Sequence, residues 1–355
     1  MRTLGIVGAT GVVGQTLIDI IEGNDKIFDK VKLYASKSSA GKIVSLNGQK
    51  IILEEMNLNS LLQCNAVVFA SDASVSLEYI PKLAEQGILC VDKSSAFRAK
   101  ENVPLVVPEV NGKVLKESQL KKHPIVASPN CCTIPLVMVL KALDDEFLVK
   151  KTIVSTYQSV SGAGKPGADV LTEETKHFFN SQDLSCQKSS LFPKSIAFNV
   201  MPFVASILDN GDTDEEFKIM FETKKVLNKP NFAIAATSVR VPTFVGHAES
   251  VTLELGNSFD VDKVIEILSK FPGLRVVDEK NRELPYLSQE EQEENSFENF
   301  VTPREAHGRD EVFVSRIRKC NVFENGLSLW IVSDNLRKGA ALNAWQIVQT
   351  YFHEA

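Results

Sequence analysis

A glycine-rich turn sits where a strand gives way to a helix within the first fifteen residues, and it restricts the fold of this 355-residue chain more than any other feature. An apolar run, LGIVGA (4–9), leads into Gly8-Ala-Thr-Gly11-Val-Val-Gly14, and a helix is expected from about Val12 to Ile21. Glycines at these places permit a tight turn, let backbone approach a pyrophosphate and allow close helix–strand packing. The unpaired N–H groups at the helix start attract the anion. A dinucleotide is therefore expected here, and a purely structural turn is the alternative.

The following residues repeat the pattern. Strand-like runs VKLYAS (31–36), AVVFAS (66–71) and ILCVDKS (88–94) alternate with helical stretches, one of them near 76–86. Further β-like runs follow at LVVPEV (105–110) and PIVAS (124–128). Such alternation predicts a parallel, doubly wound α/β sheet. From there the strands lengthen: TIVSTYQSV (152–160), AATSVRVP (235–242), SVTLEL (250–255), EVFVSRIR (311–318) and LSLWIVSD (327–334). These predict a second, α+β domain with a mostly antiparallel sheet and two or three helices. The boundaries expected are 1–129, completed by a last helix at 336–355 that packs back on the first domain, and 130–335 for the second. The Glu-, Gln-, Asn- and Ser-rich stretch 282–299 reads as an exposed loop.

Composition excludes several classes. With 44% hydrophobic and 24% charged residues the chain is an ordinary globular one, and a formal charge of -6 gives no basic face for nucleic acid. No run approaches the ~20 apolar residues of a membrane helix. Met1 leads directly into a strand, without a charged region followed by a cleavable apolar segment, so a cytoplasmic location is expected. Six scattered cysteines show no metal-ligand pair spacing, and no metal is expected.

The second expected strand ends in Ala35-Ser36-Lys37-Ser38-Ser39-Ala40-Gly41-Lys42. NAD-selective sites often place a carboxylate there for the ribose hydroxyls. Here hydroxyls and ammonium groups stand instead, which suit a 2′-phosphate and favour NADP. A polar loop with surface lysines is the alternative.

In Ser128-Pro129-Asn130-Cys131-Cys132-Thr133-Ile134-Pro135 an extended segment turns into the apolar run LVMVLKAL. Pro135 suits a first helical turn, so a helix should start around Cys132 or Thr133, with Cys131 at its mouth. A thiol at a helix N-terminus has its thiolate stabilised. Either cysteine could react; the one just outside the helix is favoured, Cys132 is expected to be packed, and burial of both as core residues is the alternative. Of the five histidines, His123, His177 and His353 offer little, and His307 in AHGRD reads as a surface loop residue. His247 differs, because in Arg240-Val-Pro-Thr-Phe-Val-Gly246-His247 it follows a glycine after a strand that carries an arginine, a place for a general acid/base. Ser155-Thr-Tyr-Gln158-Ser-Val-Ser161-Gly162-Ala-Gly164 runs from a strand into a glycine–hydroxyl loop, and Glu215 and Lys218 lie on one face of an expected helix.

Taken in order and spacing, GATGVVG, SPNCCT, STYQSVSGAG, EEFK, RVPTFVGH and SDNLRKGAALN resemble the aspartate-semialdehyde dehydrogenases of the bacterial type over nearly the whole chain. The resemblance implies Cys131 as nucleophile, His247 as acid/base and Gln158 as the residue that orients the substrate. It also implies Arg240 on the substrate carboxylate, Glu215 on its amino group, and Arg98, Lys218 and Asn130 on phosphate. For NADP it implies Gly8, Thr10, Gly11, Val12, Val13, Ser36, Ser38, Ser39, Ser161, Gly162 and Asn335. The fold implied is a Rossmann-like domain plus a dimer-forming domain, so a homodimer, or a tetramer of paired dimers, is expected. The reaction implied is NADPH-dependent conversion of aspartyl phosphate to aspartate semialdehyde and phosphate, a step of lysine, threonine, methionine, isoleucine and diaminopimelate biosynthesis. Many relatives carry Ser at the place of Cys132. The rivals are N-acetyl-γ-glutamyl-phosphate reductase, whose cysteine usually reads Gly-Cys-Tyr and which would not use Glu215, and a catalytically silent NADP-binding paralogue.

Overall fold

The computed structural model describes residues 1–23, 27–117, 120, 122–181, 191–277 and 300–353. The loop expected at 282–299 lies outside the described residues. The chain forms two compact units: Met1–Cys131 together with Gly339–Ala355, and Cys132–Lys338.

In the first unit, β1 (Thr3–Val7), β2 (Lys30–Ala35), β5 (Glu54–Glu55), β6 (Ala66–Phe69), β7 (Leu89–Asp92) and β8 (Ile125–Ala127) form one sheet in the order β5-β2-β1-β6-β7-β8. Every pairing in it is parallel. β1, β6 and β7 are buried at every residue, as strands covered on both faces must be. The strand order reverses beside β1, so the turn after it, beginning at Gly8, occupies the topological switch point where α/β sheets bind ligands. The helix Leu342–His353 adds Ala344, Trp345, Ile347 and Val348 to the cluster that holds Leu4, Ile6, Leu17 and Leu33. Ile347 and Val348 each stabilise the fold by about 1.5–3 kcal/mol on burial, so this helix is integral to the unit.

Two details of this unit differ from the reading of the sequence. The run 105–110 is not a strand, since only Leu105 bridges to Ala127 and Pro108–Asn111 forms a helical turn. Pro108 at the first helical position lacks the N–H a strand would need, and the Asn111 side chain takes the Val107 N–H and donates to the Leu105 carbonyl. The hairpin of β3 (Ile43–Leu46) and β4 (Gln49–Ile52) was not anticipated. Its turn is Asn47-Gly48, both at positive φ, the pair that a two-residue hairpin loop favours.

In the second unit, β9 (Val149–Gln158), β10 (Ala233–Arg240), β11 (His247–Leu255), β12 (Leu274–Val277), β13 (Val312–Cys320) and β14 (Gly326–Ser333) form a mixed sheet in the order β10-β9-β11-β14-β13-β12. The central pairings are antiparallel as expected, while β10–β9 and β12–β13 are parallel. The helix Thr133–Phe147 is buried almost all round, which only an apolar sequence such as IPLVMVL permits. Register does the rest: Arg240 of β10 pairs with Gln158 of β9, which pairs with His247 of β11, which pairs with Ser333 of β14. Paired residues project from one face of a sheet, so these four form a single row at one end of it.

Candidate active site

The row at the end of the second unit's sheet is almost fully buried, with Gln158 and His247 each 1% exposed and Arg240 7%. Buried polar groups need partners, and these have specific ones. Gln158 Nε2 donates to Glu215 Oε1 at 2.9 Å, and its Oε1 accepts the Thr156 hydroxyl at 3.1 Å. Glu215 stands in the first turn of the helix Asp214–Val226, where the N-terminal dipole favours a carboxylate and Thr213 with Glu216 closes a capping box. Lys218 is 4.0 Å from Glu215 but pairs more closely with Asp214, one turn back on the same helix. The Glu215–Lys218 pair is therefore the weaker of its two ion pairs.

Ser159 joins the other two members of the row through its backbone. Its carbonyl accepts Arg240 Nη1 at 2.7 Å, and its N–H donates to His247 Nδ1 at 3.0 Å. With Nδ1 accepting, the proton of the neutral ring sits on Nε2. That atom is buried and has no hydrogen-bond partner among the described residues. Gly162 lies over both groups. A Cβ there would stand 2.9 Å from Arg240 Nη1 and 3.5 Å from His247 Nε2.

Asn335 fixes this arrangement from behind. Its Oδ1 accepts the Gly246 N–H at 2.9 Å and the hydroxyls of Ser161 and Ser159 at 3.2 and 3.3 Å, and its Nδ2 donates to Ser161 Oγ at 3.0 Å. It thus ties the residue before His247 to the 159–162 loop. Its neighbour Asp334, 1% exposed, accepts the N–H groups of Leu336, Arg337 and Gly308 and lies 3.0 Å from His307 Nδ1. His307 is exposed, as read, yet it is anchored beside this network.

The first unit carries Arg98, Asn130, Cys131 and the nucleotide loop. Cys131 is partly accessible, whereas Cys132, at the N-cap of the helix Thr133–Phe147, is wholly buried, which separates the two thiols as expected. Asn130 is 6% exposed. Gly339 packs on Cys131 so closely that a Cβ would come within 3.1 Å of the cysteine's own. Lys93 Nζ donates to the carbonyls of Pro129 at 3.4 Å and Gly339 at 3.2 Å, and the Lys93 carbonyl accepts Arg98 Nη2 at 2.8 Å. Sequence reasoning passed over Ser159, Lys93 and Gly339, whose parts are played by backbone groups or by a lysine that composition makes look like a surface residue.

The glycine turn fits a pyrophosphate. Gly8 has φ +82, and a Cβ there would stand 2.4 Å from the Ala70 carbonyl oxygen; one at Gly14 would stand 2.2 Å from that of Gly8. These two glycines bring helix and strand together. Gly11 differs: a Cβ there would meet only the Gly8 oxygen, at 3.3 Å, so the space in front of it is open. It is the N-cap of Val12–Ile21, no side chain caps that end, and the first-turn N–H groups of Val12 and Val13 are available to an anion. Thr10 is exposed beside them. At the end of β2, Ser36 and Ser38 share a hydrogen bond of 3.0 Å, and a turn from Ser36 to Ser39 presents hydroxyls and no carboxylate.

Sequence and structure comparisons match this two-part organisation. The family described as "Semialdehyde dehydrogenase, NAD binding domain" matches residues 3–118, and "Semialdehyde dehydrogenase, dimerisation domain" matches residues 140–338. The aspartate-semialdehyde dehydrogenase of Aquifex aeolicus is 40% identical over 353 residues, covering 99% of this chain and 98% of that one. That of Bacillus subtilis is 37% identical, covering 98% and 96%. The crystal structure of Vibrio cholerae aspartate semialdehyde dehydrogenase II complexed with ASA superposes with a TM-score of 0.90 at 34% identity, covering 100% and 99%. Relatives alike from end to end, together with a sheet row of arginine, glutamine and histidine and an accessible cysteine before a helix, show that this chain belongs to the aspartate-semialdehyde dehydrogenase family.

Proposed function

We propose that this chain carries out the NADPH-dependent reductive dephosphorylation of L-4-aspartyl phosphate to L-aspartate 4-semialdehyde, with Cys131 as nucleophile. The observation that carries this reading is the buried row Arg240–Gln158–His247, three chemically different groups held side by side by strand register. The Arg240 guanidinium suits a carboxylate because it can bond it bidentately, Glu215 offers charge to an ammonium, and Gln158 is oriented by its bond to Glu215. N-acetylation would remove the charge that Glu215 answers, which disfavours the acylated substrate of the glutamyl rival.

The Cys131 thiolate attacks the acyl carbon and phosphate leaves, giving a thioester. Arg98, Lys218 and Asn130 bind the phosphate group. When bound, the reduced nicotinamide supplies a hydride to the thioester carbon. His247 Nε2–H donates to the carbonyl oxygen as it becomes an oxyanion, and the oxyanion then re-forms the carbonyl and expels the thiolate. Donation of a hydrogen bond is sufficient for this step, because the oxyanion collapses with the thiolate leaving unprotonated; the proton that the overall reaction consumes goes to the departing phosphate, which leaves as hydrogen phosphate.

The nucleotide is held by Gly8, Thr10, Gly11, Val12 and Val13 around the pyrophosphate, with Ser36, Ser38 and Ser39 on a 2′-phosphate. Ser161, Gly162 and Asn335 shape the nicotinamide end. A homodimer is the assembly that the matched dimerisation domain supports, and the outward face of β9, with Ile153 47% and Tyr157 36% exposed, suits a second copy. The decisive experiment is a phosphate-dependent assay with aspartate semialdehyde, run with NADP and with NAD. Turnover that requires phosphate and prefers NADP is expected; turnover with N-acetylglutamate semialdehyde alone would overturn the substrate.

A further inference from the structure

The segment from Thr302 to Asp310 lies against both stretches of chain that frame His247. It begins with the helical turn Pro303–Ala306, closed by a capping box between Thr302 and Glu305. The Pro303 carbonyl comes so near Gly246 that a Cβ there would stand 2.5 Å from its oxygen, and Gly246 has φ +88, a conformation that favours glycine. The segment then reaches the end of β14. Asp334 Oδ2 accepts the Gly308 N–H at 2.8 Å and the Nδ1–H of His307 at 3.0 Å, while Oδ1 accepts the N–H groups of Leu336 and Arg337 at 2.8 and 3.1 Å. Arg337 closes the loop by bonding Asp310 through Nε at 2.7 Å. The two carboxylate oxygens therefore do different work: Oδ1 shapes the turn 334–337, and Oδ2 ties that turn to 307–308.

We propose that Asp334 and His307 are positioning residues of the reaction, acting on His247 through Asn335. This rests on His247 serving the substrate carbonyl. Asn335 stands inside the turn that Asp334 holds, and its Oδ1 takes the N–H of Gly246 and the Ser159 hydroxyl, at 2.9 and 3.3 Å. Ser159 in turn meets His247 Nδ1 with its N–H at 3.0 Å and its hydroxyl at 3.2 Å. A continuous line of hydrogen bonds thus runs from His307, whose side chain is 60% exposed, through a carboxylate that is 1% exposed, to the imidazole. Bonds to an ionised group are the strong members of such a line, and a buried carboxylate that loses a donor has little water to replace it. Fixing the turn fixes Asn335, and a fraction of an ångström at the ring matters to the rate.

The test is steady-state kinetics and thermal unfolding of the full-length parent, Asp334→Asn, His307→Leu and His307→Asn. Asp334→Asn keeps an acceptor for Leu336 and Arg337 but cannot accept from both segments, so it cuts the tie to 307–308 and spares the turn. His307→Asn carries an amide N–H at about the reach of Nδ1–H, and His307→Leu has no donor. Expected are a kcat lowered about tenfold to thirtyfold in Asp334→Asn and about threefold to tenfold in His307→Leu, a KM for phosphate within about twofold of the parent, and His307→Asn close to the parent. In a His247→Ala background, His307→Leu should lower kcat less than about twofold, because the positioned group is gone. Parental kcat in both Asp334→Asn and His307→Leu would overturn the proposal. So would a His307→Asn protein as impaired as His307→Leu, or an undiminished effect of His307→Leu in the His247→Ala background. The His307 pair, at an exposed side chain, decides the matter if Asp334→Asn fails to fold. Failure of the underlying reading looks different: a His247→Ala protein with parental kcat would remove the role being supported, whatever the other variants do.

Discussion

The backbone N–H of Ser159 donates to Nδ1 of His247 at 3.0 Å, and this bond leaves the proton of the neutral ring on Nε2. A side-chain partner could be exchanged by mutation; a main-chain N–H cannot, so the tautomer is built into the end of β9. If Nε2–H acts by hydrogen-bond donation, a replacement that keeps a donor should keep part of the rate. His247→Ala is expected to lower kcat by about 10²- to 10³-fold, with a much smaller change in substrate KM. His247→Gln should recover a measurable part of that loss. Steady-state kinetics on both variants check this, and equal loss in the two would argue for full proton transfer.

Gly162 sits where any side chain meets both Arg240 and His247. Its φ is not in the left-handed region, so alanine is conformationally acceptable and the contact at 2.9 Å from Arg240 Nη1 is what matters. Displacing a guanidinium or imidazole by a fraction of an ångström disturbs the approach of substrate more than it disturbs folding. Gly162→Ala is expected to reduce kcat/KM by about tenfold to a hundredfold while the thermal midpoint stays near that of the parent. A large fall in midpoint with normal kinetics in the surviving protein would refute this account.

Much of this was legible in the amino-acid sequence, for identifiable reasons. GATGVVG announces itself because a strand, three spaced glycines and a helical period fall together. The helix start after Cys131 was legible because Pro135 marks it, and the helix begins at Thr133. The partnership of Arg240, Gln158 and His247 was less accessible: each could be suspected locally, but the row exists only through register between strands distant in sequence, β9 with β10 and β11. Ser159 was invisible because its backbone carries the role. The β3–β4 hairpin was readable in principle from Asn47-Gly48, yet its flanking strands are short and partly exposed, so their alternation is faint. The run 105–110 misled in the opposite direction, since apolar residues mimic a strand until Pro108 withholds its N–H.

Cofactor preference can be tested at one position. Ser36 begins the turn after β2 and bonds Ser38, in a loop that carries hydroxyls and lysines but no carboxylate. A carboxylate introduced there would repel a 2′-phosphate and accept the free ribose hydroxyls of NAD. Ser36→Asp is expected to raise KM for NADP by at least about tenfold and to raise that for NAD far less, or lower it. Kinetics with both nucleotides measure the ratio; parallel changes in the two would mean that this loop does not contact the 2′ position.

The five described cysteines differ enough in surroundings to be ranked by reactivity. Burial pushes the Cys64 thiol up, and it pushes Cys90 up further, with Asp92 adding to the effect. Both stay protonated and inaccessible at neutral pH, and Cys132 is wholly buried as well. Cys320 is shifted the other way, because the Val322 backbone and the Ser328 hydroxyl hydrogen-bond to its sulfur and stabilise the thiolate. Brief iodoacetamide treatment of the native protein at pH 7 should therefore label Cys131 first and Cys320 second, with Cys64, Cys90 and Cys132 labelled only after denaturation. Labelling at Cys131 should remove activity in step with its extent, whereas labelling confined to Cys320 should leave turnover unchanged. Activity lost in proportion to Cys320 modification alone would displace Cys131 as the reacting group.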